Sequence, residues 1–212
     1  RSRTHVEALA AAGDGIYGVS TGFGALATRN IPASDRARLQ RSLIRSHAAG
    51  NGALVEPEVV RGLMLLRIAT LAKGRSGVRP ETAQAYVDLL NSGLVPAVRE
   101  FGSLGCSGDL APLAQCALAL MGEGEVSDAG VLRPTVDAMV EHGLSPVVLV
   151  EKEGLALING TDGMLGMLVL ALADLESLLD AADLAAAMSI EGQLGTDRTF
   201  ASDLMGLRPQ VG

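Results

Sequence analysis

The chain has 212 residues, 48% of them apolar and 19% charged, a composition that can build a real core and excludes disorder over most of the length. Seventeen Lys and Arg against 24 Asp and Glu leave a formal charge of −7, which argues against a nucleic-acid partner and against an anionic membrane surface. With no Trp, two Tyr and three Phe, the core has to be aliphatic.

The first predicted element is a helix over Thr4–Ala12, closed by Gly13 and Gly15. Ile16 to Gly24 reads as a loop with a brief extended start, and Gly18, Gly22 and Gly24 give it the freedom of a lid. Pro32-Ala33-Ser34-Asp35 starts a second helix running to about Ala49, with Ser34 or Asp35 as its cap. Leu39, Leu43, Ile44 and Ala48 recur at helical spacing, and Gly50 to Gly52 stop it. Glu56-Pro57 opens a third helix, to about Lys73. Its apolar residues, among them Val59, Val60, Leu63, Met64, Leu66 and Leu71, cover most of the circumference and predict burial nearly all round. Lys73, Arg75 and Arg79 flank a glycine-rich stretch that reads as a solvated loop, with a phosphate grip as the alternative. Pro80 to Asn91 is a fourth helix, ended by Gly93 and Pro96.

Phe101 to Pro112 is the most informative stretch. Gly102, Gly105 and Gly108 ask the backbone to bend tightly. Asp109 and Pro112 then open an apolar helix over Leu110–Met121, so Ser107 or Asp109 as an ordinary cap accounts for the residue types. A chemical reading fits the same residues. A Gly108 nitrogen pressed against the Cys106 carbonyl can attack it and close a five-membered ring. Loss of water from that adduct and from the Ser107 hydroxyl leaves a methylidene-imidazolone, an electrophile made of backbone and one serine. Gly108 has no side chain to shield its nitrogen, and the helix start favours developing negative charge.

Beyond it, Gly122 to Leu132 reads as a small hairpin around Asp128-Ala129-Gly130, and Pro134 to Glu141 as a short helix. The last predicted helix is the longest, Gly163 to Ser189, about 40 Å at the standard rise. Leu165, Leu168, Leu172, Leu175 and Leu179 form a heptad seam continued by Ala182 and Ala186, which calls for partner helices.

Four stretches, in order, carry a resemblance: Ile16-Tyr17-Gly18-Val19-Ser20-Thr21-Gly22-Phe23-Gly24, Ser46-His47-Ala48-Ala49-Gly50, the Cys106-Ser107-Gly108 turn, and Gly154-Leu155-Ala156-Leu157-Ile158-Asn159-Gly160-Thr161. Together they resemble the histidine and aromatic amino acid ammonia-lyase family over essentially the whole chain. The resemblance implies a mainly α fold of fumarase/aspartase-like architecture. A loop-rich N-terminal domain over residues 1–155 would carry the electrophile, and 156–212 would begin a long helical bundle. It also implies a methylidene-imidazolone made from Cys106, Ser107 and Gly108, although the family usually has alanine where this chain has Cys106.

In the family the tyrosine at Tyr17 removes the substrate's β-proton. A free phenol titrates near 10, so helix ends or positive charge have to bring it toward neutrality. Asn159 corresponds to the asparagine that hydrogen-bonds the ring; read alone, it is a turn or cap residue. Ser46 and His47 match the pair that reads the substrate ring in histidine ammonia-lyases. Some tyrosine-acting relatives share that histidine, and a structural histidine is the plain alternative. The implied reaction is L-histidine to trans-urocanate, with a phenylalanine or tyrosine lyase, a 2,3-aminomutase or a catalytically silent helical assembly module as alternatives. Homotetramers with shared active sites are implied as well. Family chains start earlier and continue through a further helical half, so this chain reads as a fragment.

Other chemistries fit less well. Gly22-Phe23-Gly24-Ala25-Leu26-Ala27 satisfies a dinucleotide-binding pattern, but Asn30-Ile31-Pro32 breaks the helix it needs. Gly105-Cys106-Ser107-Gly108 has the wrong order for a hydrolase elbow. Three His and two Cys show neither metal spacing nor a disulfide framework, so no metal is predicted. Nothing at Arg1-Ser2-Arg3-Thr4 reads as a signal peptide, and the uncharged run Leu110–Gly122 is too short to span a bilayer, so the expectation is cytoplasmic.

Overall fold

The computed structural model describes residues 1–105 and 108–209, and the described residues are mainly α, as the sequence predicts. Helix α1 (Ser2–Ala12) ends at Gly13, whose φ of 80° only glycine adopts freely. Helix α2 (Ala33–His47) starts one residue before the predicted caps. Pro32 takes the cap position, so Ser34 and Asp35 fall inside the first turn, where Asp35 acts on the helix dipole rather than as a cap. Strand β1 (Asn51–Leu54) follows. Helix α3 (Pro57–Ala72) and helix α4 (Pro80–Asn91) both open on a proline, whose missing N–H has no partner to lose in a first turn.

The expected all-round burial of α3 does not hold. Val59, Val60, Leu63, Met64, Arg67 and Leu71 are buried, but Leu65 is 58% exposed. The helix is covered along one side only, so its apolar residues divide into a core stripe and an open one.

Strand β2 (Val95–Pro96) and strand β3 (Arg99–Phe101) precede the glycine turn, and helix α5 (Leu110–Leu120) follows it. Strands β4 (Glu125–Asp128) and β5 (Val131–Pro134) form the predicted hairpin. Ala129 at φ 50° and Gly130 at φ 87° make the two-residue turn that matches strand twist. β2 pairs antiparallel with β4, and β1 with β3. The sequence reading missed β1 to β3, because strands of two to four residues carry no readable alternation. Helix α6 (Thr135–Glu141), helix α7 (Glu153–Ile158), helix α8 (Asp162–Gly192) and helix α9 (Ser202–Met205) complete the order.

The chain divides into two compact units, Arg1–Leu168 and Val169–Gly212. In the first, Ile44, Met64, Tyr86, Leu89, Leu113 and Leu157 are fully buried in one aliphatic core. Gly62 of α3 and Gly166 in the first turns of α8 meet backbone to backbone. A Cβ on Gly166 would stand 3.1 Å from the Leu63 nitrogen and 3.2 Å from the Val59 oxygen. The second unit holds the rest of α8, a 3-10 turn (Asp197–Phe200) and α9, and it exposes Leu172, Leu175, Leu179 and Leu184. Glu153–Gly192 is long and apolar enough, by length and composition alone, to cross a membrane.

Candidate functional site

A cavity of about 380 Å³ in the first unit is lined by Tyr17, His47, Gly108 and Asn159, together with Phe23, Leu43, Leu104, Leu155 and Ile158. Four predicted site residues from four distant stretches therefore line one cavity. Ser46 does not line it, and Cys106 and Ser107 lie outside the described residues. A roomier cavity, about 510 Å³, lies between the start of α1 and helices α3 and α4 and collects none of them.

Tyr17 sits in a tight turn in which the N–H groups of Val19, Ser20 and Thr21 all converge on the Ile16 carbonyl. The Ser20 hydroxyl staples its base, accepting from the Ile16 N–H at 2.9 Å and donating to the Asp14 carbonyl. Gly18, at φ 77°, lies so close to α7 that a Cβ there would come within 2.6 Å of Leu155. The turn is thus seated on α7 at a position only glycine can occupy. The Tyr17 ring meets Phe23 edge to face at 5.8 Å, its hydroxyl accepts from the Gly24 N–H at 3.4 Å, and the residue is 49% exposed. Gly24–Leu26 is a 3-10 turn rather than the start of a helix, in keeping with the failed dinucleotide pattern.

His47 ends α2. Its Nδ1 lies 2.9 Å from the Leu43 carbonyl and 3.0 Å from the Ser46 hydroxyl, which itself donates to the same carbonyl. A carbonyl can only accept, so the hydrogen bond to Leu43 places a hydrogen on Nδ1, and in the neutral ring that tautomer leaves Nε2 as an acceptor. Ser46 therefore meets His47 at Nδ1 and is not among the residues that line the cavity.

The flanks of the glycine turn are held from several sides. Gly105 is at φ 66°, its N–H donates to the Ser103 hydroxyl at 3.2 Å, and the Gly108 N–H points to the Gly105 carbonyl at 3.4 Å. Asp109 takes the N-cap position of α5, but its side chain does not cap that helix. The buried carboxylate accepts from the Ser103 hydroxyl and from the Met164 N–H in the first turn of α8. It links the turn to a second helix start. The Asp109 N–H donates to the Gly160 carbonyl at 2.6 Å, and a Cβ built on Gly108 would stand 3.4 Å from that carbonyl and 3.7 Å from the Asn159 Oδ1. The carboxamide therefore lies beside Gly108, where it can hydrogen-bond a ring built on that residue. These donors and the narrow turn fit a backbone-made imidazolone.

Helix α7 seats the Tyr17 turn and lends Leu155 and Ile158 to the cavity lining, and the sequence reading passed over what holds it. At its start, Glu153 is fully buried and accepts from the Arg79 N–H and guanidinium, the Thr82 hydroxyl and the Val150 N–H. Burial pushes the Glu153 carboxyl up, but these donors outweigh it and hold it below the usual carboxylate range. Arg79 is thus committed to an internal ion pair, 2.8 Å from Glu153, and is neither a solvated loop residue nor a phosphate grip. Lys152, in the left-handed conformation at φ 74°, is half-buried and shifted downward by that burial. Asn159 ends α7 as its C-cap, and the buried Arg67 of α3 reaches the carbonyls of this last turn. One signal for Arg67 was present in the sequence: it occupies a helical-spacing slot between Leu63 and Leu71 that should hold an apolar residue.

Comparison with known proteins agrees with this geometry. A family model described as aromatic amino acid lyase matches residues 1–212. The histidine ammonia-lyase of Streptomyces avermitilis is 60% identical over all of this chain, which covers 41% of that protein. Among solved structures, the histidine ammonia-lyase of Trypanosoma cruzi superposes with a TM-score of 0.93 at 36% identity, over all of this chain and 41% of that one. The phenylalanine aminomutase of Pantoea agglomerans gives 0.91 at 33%, over all of this chain and 40% of that one. The chain spans about two fifths of the length of the curated relatives it matches.

Proposed function

The chain belongs to the aromatic amino acid lyase family, and from that membership we propose that the full-length protein eliminates ammonia from L-histidine to give trans-urocanate. The observation that carries this reading is the one cavity lined by Tyr17, His47, Gly108 and Asn159. Tyr17 is the base for the β-proton, standing half-exposed at the cavity mouth on a turn seated against α7. His47, with Nε2 bare, accepts from an N–H donor, which the imidazole of histidine offers and a phenyl ring does not. Asn159 stands beside Gly108 to support charge there.

The electrophile is assigned to a methylidene-imidazolone made from Cys106, Ser107 and Gly108, with Asn159 and the clamped flanks of the turn holding it. Such a ring supplies an electron sink that lets the amine leave. The Cys106 side chain takes no part in the ring closure. We place the assembled protein in the cytoplasm as a homotetramer completed by chain beyond these residues.

Intact mass and ultraviolet absorbance test the proposal on the full-length protein. A mass lighter by two waters, with urocanate formed from L-histidine, is the expected result. Ser107→Ala should restore the encoded mass and abolish turnover while leaving the circular dichroism unchanged. Undiminished turnover in that variant would refute the electrophile. The likeness to an aminomutase makes the product decisive: a β-amino acid in place of urocanate would assign the second reading.

A further inference from the structure

We propose that Arg67 is a positioning residue that sets Asn159 against the glycine turn, an inference that rests on the lyase reading above. Arg67 is almost wholly buried on α3, yet its guanidinium does no work for α3 itself. One Nη1 hydrogen bond goes to the Ala156 carbonyl at 3.1 Å and another to the Asn159 carbonyl at 3.3 Å, while Nη2 pairs with the buried Asp162.

Carbonyls in a helix's last turn have no partner within the helix. Here a fork from another helix supplies those donors, so α7 stops at Ile158 and Asn159 turns to φ −100°, ψ 95°. The next residue cannot bear a side chain, because Arg67 Nη2 and Asp162 Oδ2 fill the space a Cβ on Gly160 would take. The Gly160 carbonyl, fixed this way, accepts from the Asp109 N–H at 2.6 Å on the far side of the turn. A continuous path therefore runs from the guanidinium through Asn159 and Gly160 to the residues flanking Cys106 and Ser107. The planar fork holds two carbonyls and a carboxylate at once. A lysine ammonium in the same place keeps the charge opposite Asp162 but not the two-sided grip.

The test is a double-mutant cycle in the full-length protein with L-histidine as substrate, using Arg67→Lys, Asn159→Ala and the pair. Arg67→Lys is expected to keep the two-water mass deficit and a KM within about twofold of the parent, and to lower kcat by about 10- to 100-fold. In the pair, kcat should fall no further than in Asn159→Ala alone, because both changes remove the same placement. A parental kcat in Arg67→Lys, or losses that multiply in the pair, overturns the inference. Should Arg67→Lys fail to fold, Asp162→Asn decides. It leaves Arg67 on the two carbonyls, so kcat should stay within about threefold, and a fall as deep as that of Asn159→Ala overturns the proposal. If the unsubstituted protein shows neither the mass deficit nor urocanate, the lyase reading fails first, a result distinct from every variant outcome.

Discussion

Two apolar helices leave the site, and they end in different circumstances. Helix α5 starts at Asp109 and disappears into the core, with Leu113, Ala114, Cys116 and Leu120 wholly buried. Helix α8 starts at Asp162, one turn beyond Asn159. It buries Asp162, Gly163 and Gly166, while the leucines of its seam, Leu165, Leu168, Leu172, Leu175 and Leu179, are exposed, Leu175 at 47%. Composition does not separate the two; neighbours do. What they share is a buried carboxylate at the start whose partner lies outside its own helix: Asp109 accepts from the Met164 N–H of α8, and Asp162 pairs with Arg67 of α3. Of the two, α5 lends its first residue, Leu110, to the lining of the cavity.

Four measurements sharpen or break this contrast. Leu113→Ala, in the fully buried stretch of α5, is expected to cost about 2–5 kcal/mol in chemical denaturation. A cost under about 1 kcal/mol would mean that α5 is not the core helix it appears in the fold. Gly166→Ala presses a methyl into the Val59 and Leu63 backbone and should cost about 1–3 kcal/mol, which separates the packed start of α8 from the rest.

Glu153→Gln, on the helix between the two, should cost about 1–3 kcal/mol at neutral pH by breaking a fully donated carboxylate. It should also flatten the acid limb of stability. The folded Glu153 titrates below its ordinary 4.5. Its contribution is therefore complete above the unfolded value and is lost as pH falls below about 4.5 through the folded one. Denaturation midpoints against pH should converge for the parent and Glu153→Gln in that range. Parallel curves would remove Glu153 from the account. Leu175→Ala, in the exposed stretch of α8, should change the stability of residues 1–212 by less than about 0.5 kcal/mol. A larger loss would show that the seam is covered within this chain.

Much of the fold was legible. Proline starts and glycine stops placed α3, α4 and α5 within a residue or two, because the missing N–H of proline and the left-handed reach of glycine act locally. The hairpin turn at Ala129-Gly130 followed from the same kind of rule. Helix α7 was not legible as a helix: six residues are too few to show a period. Its stability comes from Arg67, Arg79 and Gln40, which lie 70 to 115 positions away in the chain. For the same reason Arg79 read as a solvated loop cation, and Arg67 went unremarked.

The order of residues alone determined where most of the longer helices begin and end, which turns need glycine, and which four short stretches resemble the family's motifs. Those are matters of backbone freedom and side-chain type within a few residues. Only the tertiary structure decided that Tyr17, His47, Gly108 and Asn159 line one cavity, that the Asp109 carboxylate serves α8 rather than α5, and that Arg67 reaches the end of α7. The last two depend on a buried polar group taking the nearest partner in space, and that partner can lie anywhere along the chain.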